Sequence, residues 1–156
     1  MPKAKKEEPK TNKVKAKQVT KGKKSRFVDE IIIQGTITEN TKTDIPDIQN
    51  IVITSQDFLL EMQLPISLIE LIEENYNQPL QEKNELFIKM SRDSIKQEFA
   101  IFLGKCMVFD VRPNNFLGSI GGLTIKLINL SENIKLFPQN TEINFALFKS
   151  LEELKQ

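Results

Sequence analysis

The chain has 156 residues, 39% of them hydrophobic and 28% charged, with one cysteine and no histidine. That inventory excludes an internal disulfide, a structural zinc centre and any Ser–His or Cys–His nucleophile, and it fits a reducing compartment. The net charge of +1 hides a split: residues 1–26 carry 11 Lys and Arg against 2 Glu (net +9), and residues 27–156 carry 11 basic against 19 acidic groups (net −8).

The first segment, MPKAKKEEPKTNKVKAKQVTKGKKSR, has only scattered Val and Ala as apolar residues. It cannot bury enough surface to offset the entropy of ordering, so residues 1–26 are expected to be a disordered basic tail. Three uses are open to it. The cluster Lys21, Lys23, Lys24 and Arg26 has the look of an import signal, the whole segment has the charge of an arm lying on nucleic acid, and it could serve only as a solubilising tail. No apolar core follows the lysines, as a secretory signal would need. The segment is also too acidic and too poor in Arg for a mitochondrial presequence.

From Phe27 on, the apolar period is mostly two. Ile31, Ile33 and Ile37 share one face of a first strand, and Ile51 and Ile53 begin a second. Phe58, Leu60, Met62 and Leu64 alternate with Leu59, Glu61 and Gln63 in a half-buried third. PISLIELIEENY (Pro65–Tyr76) breaks the pattern and has two readings, the end of the preceding strand or, preferred, a short helical turn with Pro65 at its first position. Leu86, Ile88 and Met90 resume the alternation. In FAIFLGKCMVFDV (Phe99–Val111) both faces are apolar, which predicts a strand buried on two sides. Leu123, Ile125 and Leu127, then Ile143, Phe145 and Leu147, mark two further strands, and SLEELKQ predicts a closing helical turn. Breakers at Pro46, Pro79, Arg112–Asn115 and Pro138–Asn140 separate the runs. Seven or eight short strands at this spacing predict an antiparallel barrel or sandwich.

The glycines of FLGSIGGLTIKLINL (Phe116–Leu130) need their own account. A dinucleotide fingerprint wants G-x-G-x-x-G before a helix, whereas Gly118, Gly121 and Gly122 precede a strand, and no P-loop lysine follows. Gly118–Gly121 matches a G-x-x-G clamp for nucleic acid, but that loop joins helices. Gly121 and Gly122 therefore predict a bulge, a tight bend or the close approach of another backbone. Asp44, Asp47, Asp57, Glu73 and Glu74 sit singly on polar faces, and no carboxylate pair stands at a strand end. No catalytic residue, metal site or cofactor is expected. Phe99, Phe102, Phe109, Phe116, Phe145 and Phe148 could stack single-stranded bases, but they fall within apolar alternation and the body is acidic. Cys106 reads as a small core residue.

Two segments carry a resemblance. Glu98–Phe109, with Gly104-Lys105 at its centre, resembles the Gly-Lys strand of subunit 8 of the eukaryotic-type RNA polymerases. Ser119-Ile-Gly121-Gly122-Leu123-Thr-Ile-Lys126-Leu127 is similar to that family's Gly-Gly-Leu strand, in the same order. Phe27–Ile31, Asp57–Met62 and Glu142–Lys149 are similar to its opening, third and closing strands. Four features differ: only Ser91–Gln97 stands where the family often has a long acidic loop, Ile120 replaces an aromatic, the basic tail is atypical, and Pro65–Glu82 is expanded. The resemblance implies an eight- or nine-stranded antiparallel OB-like barrel over residues 27–156. It implies a divergent, non-catalytic subunit that docks on the largest polymerase subunit and supports assembly of the complex. Gly104, Lys105, Gly121, Gly122 and Leu123 would mark the docking or structural strands. The location would be nuclear, or the cytoplasm or virion for a chain encoded by a large DNA virus. No membrane contact is expected, since the longest apolar runs are a few residues. The alternative is a free OB-like single-strand binder that uses the tail and some phenylalanines.

Overall fold

The computed structural model describes residues 27–96, 98–130 and 137–155. The tail and its cluster Lys21, Lys23, Lys24 and Arg26 lie outside the described residues. Eight strands alternate inward apolar with outward polar or mixed residues: β1 (Glu30–Lys42), β2 (Ile48–Thr54), β3 (Phe58–Pro65), β4 (Glu85–Ser91), β5 (Phe102–Arg112), β6 (Asn115–Ile120), β7 (Leu123–Asn129) and β8 (Thr141–Phe148). They close into one barrel in the order β1-β2-β3-β7-β6-β5-β8-β4, every neighbouring pair antiparallel. An even strand number makes this possible, and closure leaves no unpaired edge. Ile33, Ile53, Leu60, Ile88, Phe116 and Phe145 are among the buried residues that fill the interior. Burying each such side chain stabilises the fold by about 1.5–3 kcal/mol.

The barrel consists of two Greek keys. In the first half the spatial order is β4-β1-β2-β3, and in the second it is β8-β5-β6-β7. The two halves share their register. Ile37↔Ile53 in β1–β2 is matched by Val108↔Gly118 in β5–β6, Ile33↔Ile88 in β1–β4 by Gly104↔Phe145 in β5–β8, and Ile51↔Met62 in β2–β3 by Phe116↔Leu127 in β6–β7. Both halves also carry a bulge at the same place, between Ile37 and Glu39 in β1 and between Val108 and Asp110 in β5. The halves join at two seams, β3–β7 and β4–β8, as two related bodies would across a pseudo-two-fold axis.

Helix α1 (Ile66–Tyr76) follows β3 directly. Pro65 is the residue before the helix, with φ −66° and ψ 143°, and not its first turn; it ends β3 and starts the helix in one step. Asn77, at φ 54°, closes α1 by donating its backbone N–H to the Glu73 carbonyl at 2.9 Å. Ile72 is buried, and Leu68 and Ile69 pack on the end of the barrel. The C-terminal helix α2 (Leu151–Lys155) matches the expected turn. Its Leu154, together with Ile95 and Ala100, covers Phe87, Ala146 and Phe148 on the outside of the β4–β8 seam.

Two corrections follow. The sequence pattern merged β6 into the glycine run, whereas it is a strand of its own. Its apolar rhythm is interrupted by Gly118, an inward position where a Cβ would lie 2.6 Å from the Cys106 sulfur and 2.9 Å from the Met107 carbonyl oxygen. Second, the apolar strand at Phe99–Val111 is buried on one side only: Cys106 and Val108 face the core, and Leu103, Met107 and Phe109 stay exposed. Gly118→Ala is expected to cost about 1–3 kcal/mol through overpacking. Urea unfolding checks this as a lower midpoint at unchanged slope.

Candidate functional site

The residues singled out in the sequence come together around the α1 end of the barrel. Ile120 pairs with Leu123 across the turn Gly121-Gly122, making β6–β7 a two-residue hairpin. Both glycines have positive φ, 58° and 90°, the pattern of a type I′ turn that matches the twist of its strands. A Cβ on either would meet nothing within 4 Å, so they are needed for backbone conformation, not for close approach. The close approach belongs to Gly118. The Ser119 hydroxyl accepts the Gly122 N–H at 3.2 Å and steadies the turn.

Gly104 lies beside the hairpin: a Cβ there would sit 3.1 Å from Ile120 and 3.2 Å from the Phe102 ring. Phe102 in turn meets Phe145 edge to face, with centroids 6.1 Å apart. Leu123, Ile120 and Phe102 line a cavity at this end of the barrel. Lys105 points the other way, to the outside of β5, where its ammonium lies 3.9 Å from Glu142. This pair is more than half exposed and contributes little to stability.

The outward face of β5 is the second feature, and the sequence assigned its residues to the interior. Leu103, Met107 and Phe109 are 37, 43 and 41% exposed, with Phe99 nearby in sequence at 38%. Their register equivalents on β1 are Ile32, Gln34, Thr36 and Thr38, with Gln34 matching Lys105; only Ile32 is apolar, and it packs beneath the α2 layer. The barrel therefore does not require apolar residues on the outside of β5. A strand with two apolar faces in a chain with little else to cover it was the available signal. Among the six phenylalanines weighed for base stacking, Phe116, Phe145 and Phe148 are core residues, Phe102 is half-buried, and Phe99 and Phe109 are exposed.

No group of three or more acidic or thiol side chains is placed to hold a metal among the described residues. No helix among them is long and apolar enough to cross a membrane. Cys106 is fully buried, and burial pushes its thiol up to about 12, against a smaller opposing effect of the Ser119 backbone hydrogen bond. No protein-family model matches this chain, and no curated protein is significantly similar to it.

Two outcomes are expected. Gly121→Val forces a β-branched residue to positive φ and should cost about 1–3 kcal/mol, whereas Gly121→Asn should cost less than about 1 kcal/mol; thermal and urea unfolding separate them. The folded chain holds the Cys106 proton more tightly than the unfolded chain does. Its contribution is therefore complete below the ordinary thiol value of 9.0 and is lost as pH rises from there towards about 12. Relative to Cys106→Ala, the wild type should lose up to about 1.4 kcal/mol per pH unit across that window.

Proposed function

We propose that this chain is a non-catalytic structural subunit of a multisubunit DNA-directed RNA polymerase, a divergent relative of subunit 8, which docks on the largest subunit and supports assembly. The observation that carries the reading is the outward face of β5, where Leu103, Met107 and Phe109 stay exposed although their counterparts on β1 are mostly polar. An apolar patch beyond what the fold needs is the mark of a surface that another protein covers. The segments that resemble the family, Glu98–Phe109 and Ser119–Leu127, run through adjoining strands at this face. A closed barrel offers no edge for strand addition, so docking proceeds through side chains. Lys105, between Leu103 and Met107 on this face, pairs with Glu142, and Arg112 pairs with Asp110 at 3.3 Å; these neutralised charges suit an apolar protein surface better than a phosphate backbone. Catalysis would belong to the large subunits. The nuclear location, and a tail contact through Lys21, Lys23, Lys24 and Arg26 with an import receptor or nucleic acid, belong to the same reading.

Two observations favour the alternative of a free single-strand binder: Phe99 and Phe109 are exposed, and the tail carries a net +9. The net −8 of residues 27–156 opposes it.

A tagged chain purified from its own cells should bring down a very large catalytic subunit. The double substitution Met107→Asp, Phe109→Asp should abolish that recovery while the isolated barrel still unfolds cooperatively. Recovery of the wild type only as a free monomer refutes the proposal. Binding of single strands with a steep salt slope after deletion of residues 1–26 would establish the alternative.

A further inference from the structure

The α1 end of the barrel contains a cavity of about 220 Å³. Its walls include Met62 and Leu64 of β3, Leu68 of α1, Phe102 of β5, Ile120 of β6 and Leu123 of β7. Among the described residues, its lining includes no charged side chain. The side-chain amide oxygen Oε1 of Gln63, a lining residue, is already engaged, accepting the Thr124 backbone N–H at 3.2 Å.

The pseudo-symmetry explains why this end is open. Gly104 and Ile33 are register equivalents, facing Phe145 and Ile88 respectively. Thr54↔Leu59 and Ser119↔Thr124 are equivalent pairs, so Phe58 and Leu123, one position earlier, are equivalent as well. At the opposite end Ile33 and Phe58 fill their places, 1 and 2% exposed, and the buried Phe137 packs edge to face on Phe116 at 5.9 Å. At the α1 end the same two places hold Gly104 and Leu123. Phe102 and Ile120 close over Gly104, where a Cβ would meet them at 3.2 and 3.1 Å, so the void is left by Leu123, in the place that holds a phenylalanine at the opposite end.

A dry apolar cavity of about 150 Å³ is large enough for benzene. This pocket is open on one side, its walls offer few polar groups, and barrel mouths are a recurrent place for ligands. We propose that this cavity is a binding site for one uncharged apolar group, of about the size of benzene to indole. The group belongs to a free small molecule, which a space of about 220 Å³ admits whole. The inference rests on packing and stands apart from the polymerase reading.

The test is a methyl-detected NMR titration of the full chain with benzene and with indole. Saturable shifts are expected at the methyls of Met62, Leu64, Leu68 and Leu123. Leu123→Phe, which restores the residue found at the equivalent place, should weaken binding at least about tenfold, the equivalent of 1.4 kcal/mol. Leu68→Phe, which narrows the cavity from the helix side, provides an independent second variant. Absence of saturable shifts in the wild type overturns the proposal, as does equal binding by both variants. Repeating the titration in the presence of any protein recovered with the tagged chain identifies the source. Blocked probe binding overturns the proposal in favour of a partner's side chain, and unchanged probe binding supports a free molecule.

Discussion

Closing eight antiparallel strands on themselves forces two of them to coil hard, and the rest of this molecule is arranged around that bend. The bulges in β1 and β5 provide the extra residue at which each strand turns. Beside each bulge, the inner faces of two adjacent strands come so close that only one can carry a side chain. In the first half Gly35 leaves room for Ile53, and a Cβ there would sit 2.5 Å from Ile53. In the second half the exchange is reversed: Gly118 leaves room for Cys106. These are equivalent places in the two Greek keys, filled by opposite choices of small and large. The bend is conserved between the halves, and the identity of the residue that yields is not.

The same framework then carries two different surfaces. The first half presents mostly polar residues on β1 and fills its own end of the barrel. The second half presents Leu103, Met107 and Phe109 on β5 and leaves space at the other end, next to the Gly121-Gly122 hairpin. The halves serve as each other's controls, because register fixes which positions to compare. What differs between them is not required by closure, and those differences point to contacts outside the chain. The glycine run that first suggests a phosphate loop is a hairpin turn plus a packing contact, and the groups around it are apolar.

Most strands were legible because inward residues alternate. Ile31, Ile33 and Ile37, Phe58 to Leu64, Leu86 to Met90, Leu123 to Leu127 and Ile143 to Leu147 all mark the strands they occupy. β6 was not legible, because Gly118 stands where the alternation demands an apolar residue, and only the barrel's own closeness explains it. The second face of β5 was misread for a different reason: hydrophobic residues indicate that a face avoids water, but not which molecule covers it. The pseudo-symmetry was also hidden. It resides in spacing and bulge position, and equivalent residues such as Ile33 and Gly104 share neither size nor chemistry.

The two seams have a consequence for synthesis. All pairings within β4-β1-β2-β3 join residues from the first part of the described chain, so this half sheet can form as it leaves the ribosome. Until β7 and β8 exist, β3 and β4 are open edges, and their outward faces carry Glu61 and Lys89 as guards. The connection through residues 92–101 decides what happens next. In one chain it lets the second half fold back; between two chains it would allow halves to be exchanged, with the same seams formed in trans. A barrel without edges at the end of folding is thus, midway through synthesis, a sheet with two.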